Sequence, residues 1–336
     1  MSRPARLAAV MLAFALASCL SFGADATSGY AGRNDVRRFI AEMAQKHGFD
    51  RDKLRALFSR ARFQPAVVAA ITRPLEPRAQ SWQAYRALFL TPKRIEAGVE
   101  FRARERAALA RAAERYGVPE DILVAIIGVE TAYGRNTGNY RVIDALSTLA
   151  FDYPPRAEFF RGELEDFLLY AREAGIDALS LKGSYAGAIG IPQFMPDSYR
   201  RYAVDLDGDG KEDLSGSFAD AIGSVANFLR AHGWETGQPV AYAARVQGDG
   251  YRKLIDAGVK PAYRFGDLAS FGVSAEGDAA ADAPCALIEL ATPDEPSEYL
   301  VGFTNFYVLT RYNRSSMYAS AVLELAQAVK SADQAK

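Results

Sequence analysis

Apolar residues recur at helical spacing along most of this chain and alternate in strand fashion only near its C-terminal end. Val36, Phe39, Ile40 and Met43, continued by Leu54, Leu57 and Phe58, predict a helical domain beginning near residue 33. Pro65, Pro74 and Pro77 punctuate the connection to a second helical stretch around Trp82 to Phe89. A charged helix with close Arg/Glu pairs is expected from Ile95 to Tyr116, its outer face solvated. An apolar helical run from Val118 to Val129 follows, starting near Pro119 and ending near Gly134. Ala157 to Ala174 is amphipathic, with Gly175 as C-cap, and Ser217 to His232 is a further helix. Between them Gly183, Gly187, Gly190, Pro192 and Pro196 are too dense for regular helix, so Ser180 to Pro196 is a loop of the kind that carries function. Beyond Gly237, Pro239–Val246 and Tyr299–Thr310 have strand texture, and Ser315 to Val329 is an amphipathic helix that packs back on the helical core. The expected fold class is mainly α, with a small β domain.

The most informative residue within this pattern is Glu130. Leu123, Ile127 and Glu130 fall at i, i+4 and i+7, so the acid shares a face with two large aliphatic side chains. In the last turn, both the negative end of the helix dipole and the apolar surroundings disfavour ionisation. A carboxyl kept protonated near neutral pH is what a general acid requires. The plainer reading is a helix-terminal Glu that turns into solvent or pairs with Arg135.

The chain's 336 residues, 49% hydrophobic and 24% charged, are enough for one large core with satellites. Residues 1–18 read as a processing signal. Arg3 and Arg6 form a positive n-region, and Leu7 to Ala17 is too short to span a bilayer. Leu16-Ala17-Ser18-Cys19 resembles a lipobox, which predicts lipidation at Cys19 and a tether over residues 19–32; a signal cleaved near Ala24 or Ala26 is the alternative. Lipidation of Cys19 leaves Cys285 as the one thiol, expected as a small buried apolar residue with no disulfide. Loss of Arg3 and Arg6 takes the formal net charge from −1 to −3. With no basic cluster elsewhere, nucleic acid is not an expected partner. Membrane contact is expected through the lipid anchor only.

Asp205-Leu-Asp-Gly-Asp-Gly-Lys-Glu-Asp213 resembles the first nine positions of an EF-hand loop. Asp205, Asp207, Asp209 and Asp213 fall at positions one, three, five and nine, Gly210 at the turn, and the Lys211 carbonyl at position seven. Carboxylates this close repel unless a hard cation neutralises them, so a structural calcium is expected, the alternative being a solvated acidic turn. Gly216 stands at position twelve in place of the bidentate Glu, and Asp220 is the expected substitute ligand. His47 and His232, far apart and without a ligand motif, support neither catalytic metal nor a Ser-His-Asp site. A phosphate-cradling loop is also missing, and no organic cofactor is expected. What remains is a carboxyl acid with aromatic and amide side chains, equipment suited to sugars: Trp82, Tyr85, Tyr133, Tyr185, Phe194, Tyr312 and Tyr318, with Ser184, Gln193 and Asn313.

These residues resemble the B-type lytic murein transglycosylases, soluble and membrane-bound, over about Trp82 to Val329. The resemblance is carried by Ile126-Ile-Gly-Val-Glu-Thr-Ala-Tyr-Gly-Arg135, Leu149-Ala-Phe-Asp-Tyr-Pro154, Leu181-Lys-Gly-Ser-Tyr-Ala-Gly-Ala-Ile-Gly190, Pro192-Gln-Phe-Met-Pro196, Asp220-Ala-Ile-Gly-Ser-Val-Ala-Asn227, and Asn305-Phe-Tyr through Arg311-Tyr-Asn313. It implies a lysozyme-like helical catalytic core (119–236) flanked by a helical domain (33–118) and a small β domain (237–311). The C-terminal helix (312–336) would pack on the core, and the calcium loop would lie within it. It further implies a monomer acting on peptidoglycan glycan strands, and Leu20 after Cys19, in place of the aspartate associated with inner-membrane retention, points to the periplasmic face of the outer membrane. Glu130 looks like the family's single acid/base. Ser184, Gln193, Tyr312, Asn313 and Tyr318 look like sugar-subsite residues, with Tyr85 another aromatic of the site. Phe228 stands where the family has tyrosine, which keeps stacking but removes a hydroxyl.

The implied reaction uses one acid where many glycosidases use two. Glu130 would protonate the oxygen linking N-acetylmuramic acid to N-acetylglucosamine, and the 2-acetamido oxygen would relieve the charge at C1. Glu130 would then deprotonate the C6 hydroxyl that closes onto C1, giving a 1,6-anhydro sugar without consuming water. A lysozyme-like hydrolase that admits water, and a non-catalytic calcium-stabilised peptidoglycan-binding lipoprotein, are the rival readings.

Overall fold

The computed structural model describes residues 29–73, 81–293 and 295–335. The signal segment, Cys19 and most of the tether therefore lie outside the described residues.

Helix α1 (Asn34–His47) buries Val36, Phe39, Ile40 and Met43, the four positions expected from their spacing. Helix α2 (Arg51–Arg60) begins at Asp50, whose carboxylate accepts from the amides of Asp52 and Lys53. Helices α3 (Pro65–Thr72), α4 (Trp82–Phe89), α5 (Pro92–Arg104) and α6 (Arg106–Tyr116) lead to the apolar α7 (Glu120–Thr131). The two-residue β1 (Tyr140–Arg141), α8 (Val142–Asp152) and α9 (Ala157–Glu173) follow. Next come β2 (Lys182–Gly183), α10 (Pro196–Tyr202) and α11 (Phe218–Ala231). The C-terminal part comprises β3 (Ala241–Val246), α12 (Arg252–Asp256), β4 (Tyr263–Arg264), β5 (Val273–Ala275), β6 (Pro284–Leu290), β7 (Glu298–Phe303), α13 (Thr304–Tyr312) and α14 (Ser316–Gln334).

Two elements depart from the sequence expectation. The charged stretch 95–116 is two helices, broken at Glu105 (φ −98°, ψ 18°). The break lets α5 lie against α7 and α14 while α6 lies against α11. Thr304 to Thr310, read as the continuation of a strand, is instead the body of α13. Its β-like composition is overridden by packing: Phe306, Val308 and Leu309 are buried, and so is Asn305. The Asn305 amide donates to the carbonyls of Glu235 and Gln238, both at 2.9 Å, and its own oxygen accepts from the Glu235 amide at 2.8 Å.

One apolar interior runs from Tyr30 to Val329, so α1 to α6, the central helices and α14 share a core. A smaller one lies under the sheet and contains Leu254, Leu268, Val273, Cys285, Leu287, Val301 and Phe303. The five strands, ordered β4-β6-β7-β3-β5, pair antiparallel throughout. β6 lies between the two interiors: Cys285 and Leu287 face the smaller one, and Ala286, Ile288 and Leu290 the larger. This two-sided burial explains the unbroken apolar run from Cys285 to Ile288. Cys285 is buried and free, and burial pushes its thiol pKa up to about 11. Among the described residues no helix is long and apolar enough to cross a membrane.

Candidate active site

From Ile122 to Thr131 every residue of α7 is buried except Glu130, which keeps partial exposure. The helix is thus enclosed on all sides, and the acid marks the one point where it opens. Glu130 forms no ion pair with any described residue, Arg135 included, and the Tyr318 hydroxyl donates to its Oε1 at 2.6 Å. Burial pushes the Glu130 pKa up to about 7, opposed by that hydrogen bond.

The helix ends abruptly. Ala132, Tyr133 and Gly134 are all left-handed, with φ of 50°, 63° and 80°. Two non-glycine residues in this region are a strained exit, sustained only where the surroundings over-determine it. The Tyr133 ring supplies that constraint. It fills a slot between Gly98 of α5 and Gly128 of α7, where an added Cβ would come within 2.5 Å and 2.7 Å of it. The Tyr133 hydroxyl is buried without a hydrogen-bond partner. Arg94 Nη1 donates to the Gly128 carbonyl at 2.6 Å, a second donor on a last-turn acceptor that also receives the Ala132 amide.

Thr131, given no role in the sequence reading, ties this exit to the loop opposite. Its hydroxyl donates to the Ile191 carbonyl at 2.9 Å and accepts from the Gly134 amide at 3.0 Å. A hydroxyl directly after an acid at a buried helix end was the available signal.

The loop 180–196 carries Ser184 and Gln193. Ser184 Oγ accepts from the amides of Ala186 and Ala188 at 3.2 and 3.0 Å, which folds the loop and leaves its proton free to donate. Gln193 has φ 53°, and its Nε2 donates to the carbonyls of Thr137 and Gly190 at 3.1 and 2.8 Å. Tyr312 donates to the Pro192 carbonyl at 2.6 Å, so its hydroxyl orders this loop. The Tyr312 ring lies nearly parallel to that of Tyr318 (8°, centroids 6.3 Å) and meets Phe228 edge-on at 4.9 Å. Phe228 also packs against Phe194 and stacks on His232 at 4.0 Å. Glu130 raises the phenol pKa values of Tyr85, Tyr312 and Tyr318, which adds Tyr85 to its surroundings; for Tyr85, burial and then this charge push the value to about 12. Asn313 is exposed just past the end of α13.

The remaining aromatic candidates differ in exposure. Trp82 is fully buried and donates from Nε1 to Glu298 at 3.2 Å, which makes it core. Tyr185 is exposed. His47 lies 2.7 Å from Glu165, a structural pairing. A second buried carboxyl, Glu163 of α9, was missed by the sequence reading. Burial pushes its pKa up to about 7, and it accepts from the Asp197 amide at the start of α10 at 3.1 Å. Neither acid enters the other's electrostatics.

In the acidic loop, Asp205, Asp207 and Asp209 each offer an oxygen within 4.8 Å of the others. Asp205 accepts from the Gly210 amide at 2.8 Å, which folds the turn back over position one. This donor set of clustered carboxylates fits a hard cation. Asp213 and Asp220 stand outside the cluster. Asp220 is fully buried; Oδ1 accepts from the Leu206 amide at 2.8 Å and Oδ2 from the Asp213 amide at 2.9 Å. It pins the two ends of the loop together. Asp213 in turn accepts from the amides of Ser215 and Gly216 at 3.0 and 2.8 Å. A Cβ at Gly216 would come within 2.4 Å of the Asp213 carboxylate, so the position-twelve Glu has no room. The loop is joined to the active site through the Ile191 amide, which donates to the Leu214 carbonyl at 2.8 Å.

Comparison with known proteins agrees with this geometry. Residues 31–327 match the transglycosylase SLT domain. The chain is 43% identical over 309 residues to membrane-bound lytic murein transglycosylase B of Escherichia coli K12, covering 89% of this chain and 84% of that protein. Its fold superposes on the catenated lytic transglycosylase SltB1 of Pseudomonas aeruginosa with a TM-score of 0.85 and 48% identity, over 90% of this chain and 99% of that one. The calcium complex of Escherichia coli lytic transglycosylase Slt35 gives a TM-score of 0.80 and 42% identity, over 92% and 97% of the two chains. The mainly helical, lysozyme-like architecture is the one these structures share, and the chain belongs to the transglycosylase SLT domain family.

Proposed function

We propose that Glu130 is the sole acid/base of this chain's reaction. The reaction itself follows from family membership: the chain is a peptidoglycan lytic transglycosylase, an enzyme that cleaves the glycan strand and leaves 1,6-anhydro-N-acetylmuramic ends. The observation that carries the assignment is the state of Glu130: one partly exposed carboxyl on a buried helix, its pKa near 7, held by Tyr318 and unaccompanied by a second carboxylate in its electrostatics.

At neutral pH such a group is protonated in a large fraction of molecules, and it gives that proton to the glycosidic oxygen as the C1–O bond breaks. The electron pair leaves with the N-acetylglucosamine oxygen, and the 2-acetamido oxygen of the muramic sugar bonds to C1. Glu130, now ionised and still hydrogen-bonded by Tyr318, takes the C6 hydroxyl proton. O6 attacks C1 and displaces the acetamido oxygen, so the acid ends protonated and no water is consumed. Tyr85 and Tyr312 serve the sugars as apolar faces, with the buried Phe228 and Tyr318 packed against Tyr312, and Ser184, Gln193 and Asn313 serve as polar contacts.

Calcium is the proposed occupant of the Asp205–Asp213 loop, supported by the donor cluster and by the calcium complex of Slt35. Asp205, Asp207, Asp209 and the Lys211 carbonyl would hold it, with Asp220 ordering the loop rather than ligating. Its place is structural, because the loop acts on the site through backbone hydrogen bonds. A substrate of this kind places the protein in the bacterial envelope, and a lipid anchor at Cys19 on the periplasmic face of the outer membrane is the finer proposal. Monomeric action and domain divisions at residues 118 and 236 are proposed with it; the expected boundary at 311 falls inside α13 and moves to the start of that helix.

Digestion of purified murein followed by mass spectrometry tests the acid/base assignment. Glu130→Gln is expected to lower turnover about a thousandfold while leaving binding intact, with anhydro ends formed by the parent enzyme only. Turnover by the variant at the parent rate would remove Glu130 from the mechanism.

A further inference from the structure

We propose that the cavity at the junction of α13 and α14 is a second binding site, one that takes a carboxylate of the peptide stems borne by the glycan strand. It deepens the reading above and rests on it, since Tyr312 and Asn313 are there assigned to the sugars. The cavity measures about 350 Å³ and is lined by Val259, Thr310, Arg311, Arg314, Ser315 and Ser316. Arg311 immediately precedes Tyr312, and Arg314 immediately follows Asn313, so the two arginines flank the proposed sugar-binding pair along the chain.

Both arginines are exposed, and neither has an ion-pair or hydrogen-bond partner among the described residues. Elsewhere the fold pairs its arginines where carboxylates are near: Arg102 with Glu120 and Asp121, Arg200 with Asp166 and Glu173. Within the cavity the Thr310 hydroxyl is already spent on the Tyr307 carbonyl at 2.6 Å, and Ser315 Oγ accepts from the Tyr318 amide at 3.2 Å. The donors left over are the two guanidinium forks and the hydroxyl protons of Ser315 and Ser316, a set that matches a carboxylate. The sugars of the strand are neutral apart from the carboxyl that carries the stem, and that one is blocked as an amide. The free carboxylates of the substrate are on its peptides. An anion site one residue along the chain from the sugar contacts therefore reads the stem.

A plainer role exists for Arg311, in the last turn of α13, where a cation offsets the negative helix end. That role stabilises the fold but does not distinguish one substrate from another, which gives the test its form. Steady-state kinetics would be run on two substrates, glycan strands with their stems and the same strands stripped of peptide by an amidase. The double variant Arg311→Gln/Arg314→Gln is expected to raise KM about tenfold on stem-bearing strands, with kcat held, and to leave the stripped strands unaffected. Arg311→Lys/Arg314→Lys, which conserves charge, should recover most of that loss, and added salt should weaken the parent enzyme's preference for stem-bearing strands. An equal change on both substrates, or none on either, would overturn the inference, as would a Lys variant no better than the Gln one. A parent enzyme that turned over neither substrate would sink the transglycosylase assignment itself and this inference with it.

Discussion

The Tyr318 hydroxyl reaches Glu130 Oε1 at 2.6 Å from 188 residues further along the chain. A donor aimed at the ionised form lowers the acid's pKa, while burial raises it, and the balance lies near 7. The pair therefore sets the pH at which the enzyme holds its proton.

Removing that donor tests the balance. Tyr318→Phe should move the descending limb of the kcat/KM profile to higher pH by about one pH unit, because the neutral acid gains relative to the carboxylate. The base step, which relies on the stabilised carboxylate, should slow at the same time. A limb that stays in place would show that the hydrogen bond does not set the proton's affinity.

Glu130 and Glu163 both have pKa values raised to about 7, above the 4.5 of an unperturbed glutamate. The folded state therefore binds more protons than the unfolded one between those pH values, and stability falls as pH rises through the window, levelling off above it. The cost is at most about 3 kcal/mol per group, and less at Glu130, which keeps some solvent. Urea unfolding from pH 4.5 to 8 should show the decline, and Glu130→Gln should make it shallower, leaving the share due to Glu163, and be the more stable protein at pH 8.

The slot that holds Tyr133 makes a paired prediction. Gly128→Ala drives a Cβ into the ring and should cost about 1–3 kcal/mol, with activity lost because the last turn carrying Glu130 must shift. Tyr133→Phe removes a buried hydroxyl that has no partner and should be neutral or slightly stabilising. Thermal melts of the two variants check this directly.

Calcium should act on stability first. Titration into the chelated protein is expected to raise its Tm by several degrees, and Asp205→Ala should abolish the rise. Activity should follow, since the Leu214 carbonyl orders Ile191 and Ile191 in turn receives the Thr131 hydroxyl beside Glu130. Asp220→Asn is expected to disorder the loop even at saturating calcium, as both of its oxygens hold backbone amides. A flat melting curve across the titration would dispose of the metal proposal.

Much of the site was legible because its signals are local. The α1 positions, the helix from about Ser217 and the close approach of the 205, 207 and 209 carboxylates all follow from spacing along the chain. α13 was not legible, since a run such as Phe-Tyr-Val-Leu fits a strand or a helix equally until its partners are known. Asp220 was assigned a ligand's place by its distance along the chain, yet its burial turned both oxygens toward backbone amides.

The sequence by itself determined most of the helices, the apolar run that ends in an acid, the acidic ladder and the family likeness, all of them properties of residues close together along the chain. Only the tertiary structure decided that Glu130 is the one opening in a buried helix, that Tyr318 is its donor and that Tyr133 locks its exit. The reason is that a proton's affinity is fixed by which remote groups exclude water and which supply a hydrogen bond. Those groups meet only when the chain has folded.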